Sequence, residues 1–347
     1  STIILKQLGS EGRLIAIDRD PEAIDDALEL QKKDSRLEVV HATFSQLEEV
    51  AVSKSVNGRV AGVLFDLGVS SPQLDTAGRG FSFMKEGPLD MRMNPMDGHS
   101  ASQWINSASE KEISNVLFKF GEERFSRRIA KCIVREREVE PILTTKQLSD
   151  IVKHANPSWE KGKHPATRSF QAIRIFINQE FNEIEEGLSQ ALSVLKVGGR
   201  LVVISFHSLE DRIVKKFMSA QAKGDKFPKD LPVTLDMLNP RLNLIGKPIK
   251  ASAHEIERNY RARSSVMRVA EKTASVLRCT IGINTSERKN NSKESESCGR
   301  ASGYGAFRLA IVWLVPSRML GASDVTGCCA RVRIIDCLHN PSKSICF

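Results

Sequence analysis

Asp66 closes an apolar run, Gly62-Val63-Leu64-Phe65, and is followed at once by Leu67-Gly68-Val69-Ser70-Ser71-Pro72-Gln73-Leu74-Asp75. A run of this kind bounded by turn residues reads as a buried strand of a parallel sheet. Ligands of open α/β sheets bind just beyond the carboxyl ends of such strands. A carboxylate there can take a proton or a hydrogen bond from a reacting group, or simply cap the turn. Asp18 has the same placement at the end of Gly12-Arg13-Leu14-Ile15-Ala16-Ile17, with Asp20 as N-cap and Pro21 at the first helical position behind it. An acid at that point suits the ribose hydroxyls of a nucleotide-like cofactor, although a capping Asp has the same signature. Phe44 ends a further short strand, Leu37–Phe44, where it could flank an adenine or pack in the core.

These side chains require an α/β scaffold to hold them. Residues 1–9 have apolar helical spacing with Gly9 as a stop, so a helix, a strand and a second helix follow one another, as in a βαβ unit whose first strand lies upstream of Ser1. Val60–Leu67 and Leu201–Phe206 read as further parallel strands. Ser264–Val269 reads as an added antiparallel edge strand. Between Ser100 and Pro157 the period is helical with no convincing strand, and Ser109-x-x-Glu112 and Thr144-x-x-Gln147 fit capping boxes. This stretch reads as a helical insertion. Arg168–Leu195 reads as one long amphipathic helix carrying Phe170, Ile173, Ile177, Phe181 and Ile184 on one face, turned by Lys196-Val197-Gly198-Gly199-Arg200 into the next strand.

With 347 residues the chain is long enough for a sizeable core and roughly two domains. No apolar run reaches the ~20 residues of a membrane span, which argues for a soluble protein and against a membrane partner. The formal charge of +9 favours an anionic partner such as nucleic acid. Five of those nine charges lie in residues 273–347, where ten Lys/Arg face five Asp/Glu. Cysteine breaks at the same place: Cys132 alone precedes residue 273, and Cys279, Cys298, Cys328, Cys329, Cys337 and Cys346 follow it. The only close pair is the adjacent Cys328-Cys329, not the C-x-x-C of a zinc site, so no metal is expected. Residues 285–305 have the composition of a disordered linker, and the tail reads as an appendage outside the working domain.

Several longer motifs carry a resemblance. Asp66–Asp75, Arg79-Gly80-Phe81-Ser82-Phe83, Gly87-Pro88-Leu89-Asp90-Met91-Arg92-Met93 and Ser205-Phe206-His207-Ser208-Leu209-Glu210-Asp211-Arg212 occur in order, with Ile17–Pro21, Phe170–Arg174 and Arg261–Ser265. Together they resemble the S-adenosylmethionine-dependent cytosine-N4 methyltransferases of small-subunit ribosomal RNA, the RsmH or MraW type, over Ser1 to about Lys272. The resemblance implies a Rossmann-like class I methyltransferase sheet formed by residues 1–99 and 166–272, an inserted helical domain at 100–165, and an unrelated tail at 273–347. It implies cofactor contacts from Asp18, Phe44, Asp66 and Gln73, with Ser1 as the last residue of a glycine-rich loop that otherwise lies upstream. It further implies a cytidine of the decoding centre as substrate, presented on an assembled or assembling 30S-type subunit. The setting would be the bacterial cytoplasm, or an organelle if a transit peptide preceded the chain. It leaves room for a homodimer.

Methyl transfer is an in-line displacement at a sulfonium methyl, so positioning supplies most of the catalysis. The cytosine amine is a poor nucleophile, and an oxygen beside it would polarise it and later take its proton. Asp66, or a carbonyl of Ser70-Ser71-Pro72, is placed for that role. The base must leave its stack to reach such a pocket. Phe81 and Phe83 could stack on it or serve as packing, and His207 could orient it or be satisfied structurally. Arg79, Lys85, Arg92 and Arg168 around the cleft, with Arg258, Arg261 and Arg263 near the end, are placed to track an RNA backbone. Lys161-Gly162-Lys163-His164 could do the same from the insertion. Two other readings remain open: a non-catalytic RNA-binding fragment, and a nicotinamide-dependent oxidoreductase using Asp18 for its dinucleotide.

Overall fold

The structure, a computed structural model, describes residues 2–158, 164–228, 232, 234–274 and 309–313. The chain opens with α1 (Thr2–Gln7), β1 (Arg13–Asp18), α2 (Pro21–Gln31), β2 (Leu37–His41), α3 (Leu47–Ser53), β3 (Val60–Asp66) and the short α4 (Ser71–Asp75). A helical run follows: α5 (Ala101–Ser107), α6 (Glu110–Gly121), α7 (Ser126–Val139), α8 (Thr145–Ala155), α9 (Thr167–Ile177) and α10 (Glu180–Val194). Then come β4 (Leu195–Ser205), α11 (Ser208–Lys223), α12 (Leu235–Leu238), β5 (Leu242–Leu244), β6 (Ile249–Lys250), α13 (Ala253–Arg258), β7 (Val266–Lys272) and β8 (Leu309–Trp313). Helix starts follow the local chemistry. Asp20 caps α2 ahead of Pro21, and Ser70, Ser100 and Thr144 form reciprocal capping boxes with Gln73, Gln103 and Gln147. At α6, Ser109 caps, but the Glu112 carboxylate accepts from Trp104 Nε1 at 3.0 Å instead of closing the box.

One sheet runs in the order β2-β1-β8-β3-β4-β7-β5, with β6 also paired to β7. Strands β2, β1, β8, β3 and β4 are mutually parallel, and β7 is antiparallel to β4, β5 and β6. Successive strand residues point to opposite faces, and both faces are covered. Ile15, Ile17, Val63, Phe65, Leu201 and Val203 pack into one core with Leu47, Val50, Ile184, Leu188 and Val214. Leu14, Ala16, Leu64 and Val202 pack into another with Ile4, Leu5 and Ala27. Burial on both sides is why these strands read as continuous apolar runs. Helices α5 to α9 close a third core of their own around Ile105, Ile113, Leu117, Ile129, Ile133, Leu148 and Ile173.

The structure departs from the sequence reading at four places. The helix expected over 168–195 is two helices, broken at Asn178-Gln179, where Gln179 adopts φ +50°. The strand expected to reach Phe44 stops at His41, and Phe44–Gln46 is a 3-10 turn. The antiparallel strand near the end lies inside the sheet, flanked by β4 on one side and β5 and β6 on the other, rather than at its edge. Most consequential, Leu309–Trp313 of the expected appendage occupies the middle of the sheet, parallel to β1 and to β3. Residues 285–305 and the six tail cysteines lie outside the described residues. Among the described residues no helix is long and apolar enough to cross a membrane.

Candidate active site

At the carboxyl ends of β1 and β3 lies a cleft with about 380 Å³ of empty space, lined by Arg19, Phe44, Asp66, Leu67, Gly68, Met93, Glu180, Glu183 and Ile184. The strand order reverses beside β8, and that is the position at which open parallel sheets take ligands. Gly68 turns the chain away from Asp66 with φ +88°, a conformation side chains rarely adopt. Ser70 and Gln73 then lock the start of α4: the Ser70 amide donates to Gln73 Oε1 at 2.9 Å, and the Gln73 amide donates to Ser70 Oγ at 3.3 Å. Ser71 Oγ is enclosed and has no hydrogen-bond partner among the described residues.

Phe44 stands edge-on to Phe65, ring centroids 4.9 Å apart, and packs so close to α10 that a Cβ on Gly187 would meet the Phe44 Cβ at 2.8 Å. Its turn is held by the Glu183 carboxylate, which accepts from the Ser45 amide at 3.0 Å and the Ser45 hydroxyl at 3.1 Å. Glu180 is buried and paired with Arg174 through two bonds of 2.8 and 2.9 Å.

Asp18 is buried at the end of β1 and accepts from the Asp20 amide at 2.8 Å. Burial pushes its carboxyl up to about 8, the Asp20 charge adding to the shift and the Asp20 amide opposing it. Asp20 itself is held from every side. It accepts from Glu22 N at 3.1 Å, Gln73 Nε2 at 2.6 Å and Arg79 Nη2 at 3.0 Å. Gln73, expected at the cofactor, therefore has its amide engaged by Asp20 and Ser70. Neither Asp18 nor Gln73 is among the residues lining the cleft. Ser1 lies outside the described residues.

The residues expected to hold RNA divide into two groups. Arg79 is only 7 % exposed, and besides Asp20 it donates to the Met93 carbonyl at 2.8 Å. It is an internal brace, not a phosphate contact, because burial and its partners leave no open face. His207 is likewise structural. It caps α11, its Nδ1 accepting from the Glu210 amide at 3.3 Å, and its Nε2 lies 3.0 Å from Glu210 Oε1. Although desolvation opposes it, His207 and Arg174 hold the buried Glu210 carboxyl below its usual range. Phe81 is buried, and Phe83 stacks on His164 and meets Phe170 edge-on, so neither ring presents a free face of the kind a flipped base needs. Arg92 is largely engaged by the Asp90 carboxylate at 2.7 and 2.9 Å.

Lys85, Arg168, Arg261 and Arg263 are exposed. Arg261 pairs with the Asp75 carboxylate at 2.6 Å, and Lys85 donates to the Asp75 carbonyl at 3.1 Å. Lys85 and Arg261 therefore share one surface at the end of α4, and Arg263 lies over the neighbouring Tyr260 ring. Residues 161–163 lie outside the described residues. Arg19, Met93, Glu180 and Glu183 were not picked out from sequence. Arg19 adjoins Asp18 and could have been suspected; the two glutamates were hidden inside what reads as an unbroken helix.

An aromatic wall and an excess of carboxylates, Asp66, Glu180 and Glu183, over Arg19 among the lining residues fit a nucleoside that carries a positive charge. Residues 1–273 match the model of the MraW methylase family. The chain is 53% identical over 272 residues to the ribosomal RNA small subunit methyltransferase H of Marinomonas sp. (strain MWYL1), covering 78% of this chain and 87% of that protein. A match of this extent sets aside the nicotinamide reading, and the geometry at the strand ends agrees with it. The chain belongs to the MraW methylase family.

Proposed function

We propose that the protein transfers the methyl group of S-adenosylmethionine to the exocyclic N4 amine of a cytidine in small-subunit ribosomal RNA. The observation that carries this reading is the cleft itself: Asp66 at its lip, Phe44 on one wall, and the rigid Ser70–Gln73 box leading away. When bound, the cofactor supplies an electrophilic methyl on a sulfonium. The chain's own task is to hold the adenosine against Phe44 and Asp18, shield the site, and place an acceptor oxygen beside the cytosine amine. Asp66 is that acceptor; the carbonyls of Ser70 and Ser71 are the alternative. Transfer of tritium from methyl-labelled cofactor to small-subunit RNA, followed by nucleoside digestion, tests it. Label recovered on any nucleoside other than N4-methylcytidine would refute the assignment.

The substrate reads as RNA within an assembling small subunit, and the compartment as the bacterial cytoplasm where such particles form. Lys85, Arg168, Arg261 and Arg263 are assigned to its phosphates. Replacing Lys85, Arg261 and Arg263 together by Ala should flatten the dependence of log Kobs on log salt by about 2 to 3, since each phosphate contact contributes roughly 0.7 to 0.9. An unchanged slope would move the RNA path elsewhere. The Arg261–Asp75 pair is exposed, so breaking it should cost little stability, about 1 kcal/mol or less.

Asp18 adds a pH signature. Its folded pKa of about 8 lies above the ordinary carboxylate value of 3.8, so the folded chain holds a proton there that the unfolded chain has lost. Stability from this group is full below about pH 4 and declines as pH rises toward 8. Ribose hydroxyls donate to the ionised form, so cofactor binding should release about one proton near pH 6 to 7, and affinity should rise with pH up to about 8. Calorimetry with S-adenosylhomocysteine in buffers of different ionisation enthalpy reads that proton. Asp18→Asn, which keeps the oxygen that accepts from Asp20, should abolish the release, weaken binding and raise the melting temperature of the ligand-free protein. Equal heats in all buffers would remove Asp18 from cofactor binding.

A further inference from the structure

The segment Met91-Arg92-Met93 is gripped from two sides by buried side chains. On one side Asn178, 2 % exposed at the break between α9 and α10, accepts from the Met93 amide at 2.8 Å and donates to the Met91 carbonyl at 2.7 Å. The second Nδ2 proton goes to the Arg174 carbonyl at 2.9 Å. On the other side Arg79 donates to the carbonyls of Met93 at 2.8 Å and Arg92 at 3.3 Å. Met91 is fully buried and held at φ +63°, a conformation that costs free energy for a non-glycine residue and persists only where the surroundings impose it.

What Asn178 joins are the walls of the cleft. Met93 is one wall. Arg19 is another, and its Nη1 donates to the Asn178 carbonyl at 2.8 Å. Gln179, the next residue, starts α10 in the left-handed region, and that break sets the position of Glu180 and Glu183. A carboxamide is the one side-chain group here that matches both an N–H and a C=O two residues apart, as a neighbouring strand would. Asp at this position would set a carboxylate oxygen against the Met91 and Arg174 carbonyls. An apolar isostere would leave buried backbone groups unpaired.

We propose that Asn178 is a positioning residue for methyl transfer: through Met93, Arg19 and the α9–α10 break it sets the distance between the cleft walls, with Arg79 bracing the same segment from behind. The inference rests on the methyl-transfer reading but is tested partly without turnover.

Asn178→Asp and Arg79→Met are compared with wild type by titration with S-adenosylhomocysteine, by single-turnover transfer to RNA at saturating cofactor, and by thermal melting. Expected for Asn178→Asp at a temperature where it remains folded are binding roughly tenfold weaker and transfer roughly 100-fold slower, with RNA affinity unchanged. Combining it with Met93→Ala should give less than the sum of the two effects. A lowered melting temperature with wild-type affinity and rate would reduce Asn178 to a structural residue and overturn the proposal, as would full additivity with Met93→Ala. If Asn178→Asp fails to fold, Arg79→Met carries the same comparison through the Met93 carbonyl. A wild-type chain that binds cofactor but never methylates RNA would refute the proposed function and leave the binding arm readable.

Discussion

Replacing Asp66 by Asn is expected to slow methyl transfer roughly 100- to 10,000-fold, the usual contribution of a positioned proton acceptor. The two side chains have the same shape, so the lip of the cleft and the turn at Gly68 should keep their form. Asp66 ends β3 in register with Ile204 of β4, and the next amide, Leu67, donates to the Ile204 carbonyl at 3.0 Å. That backbone frame does not depend on the carboxylate. The amide keeps one acceptor oxygen but cannot take the amine proton, and its NH2 would face the donor it should receive from. Single-turnover tritium transfer at saturating cofactor, with circular dichroism as the fold control, measures the loss. Wild-type turnover would remove Asp66 from the chemistry. A loss that vanishes at high cofactor concentration would leave it a cofactor-holding residue and shift the acceptor role to the Ser70-Ser71 carbonyls.

Ending the chain after Ala274 is expected to abolish cooperative folding of the sheet. Strand β8 is registered against Arg13–Ile17 of β1 and Gly62–Leu64 of β3, so its removal leaves two facing rows of backbone donors and acceptors without partners in the middle of the structure. Each buried group left unpaired costs about 1 to 3 kcal/mol. Several of them together exceed the roughly 5 to 15 kcal/mol that holds an ordinary domain folded. Glu271 of β7 lies opposite Arg200 and β8 starts opposite Arg13, both at the amino-terminal edge of the parallel strands. Thermal melting and amide hydrogen exchange of β1 and β3 test this, with a peptide spanning 306–316 added back in trans. An equally sharp melt at the same temperature without residues 275–347 would show that β8 is dispensable. Open slots of this kind also promote edge-to-edge association, so the truncated chain should aggregate more readily.

Both predictions concern features that differ in how far sequence reaches. The Asp66 turn was legible because what marks it is local: an apolar run broken at once by a glycine, paired serines and a proline; the Ser70–Gln73 box that starts α4 came only from the structure. Asp20-Pro21 and the Thr144 box were legible for the same reason. Asn178-Gln179 was not. The apolar period of α9 and α10 runs through the break, and the break is held by bonds to Met91 and Met93, more than 80 residues away. Arg79 reads as a surface cation until the fold brings Asp20 to it, and the choice for His207 between orienting a substrate and being satisfied structurally is made only by α11 starting behind it.

The sequence alone determined strands β1, β2, β3, β4 and β7, helices α1 and α2, the helical character of the insertion, the two carboxylates at strand ends and the resemblance to RNA cytosine methyltransferases, because period, caps and motifs are properties of neighbouring residues. Only the tertiary structure decided which charges are braces and which face solvent, where the long helix breaks, and that Leu309–Trp313 lies between β1 and β3. Each of those depends on partners distant in the chain, and a strand's partner is chosen by the backbone edge left open for it rather than by anything its own residues encode.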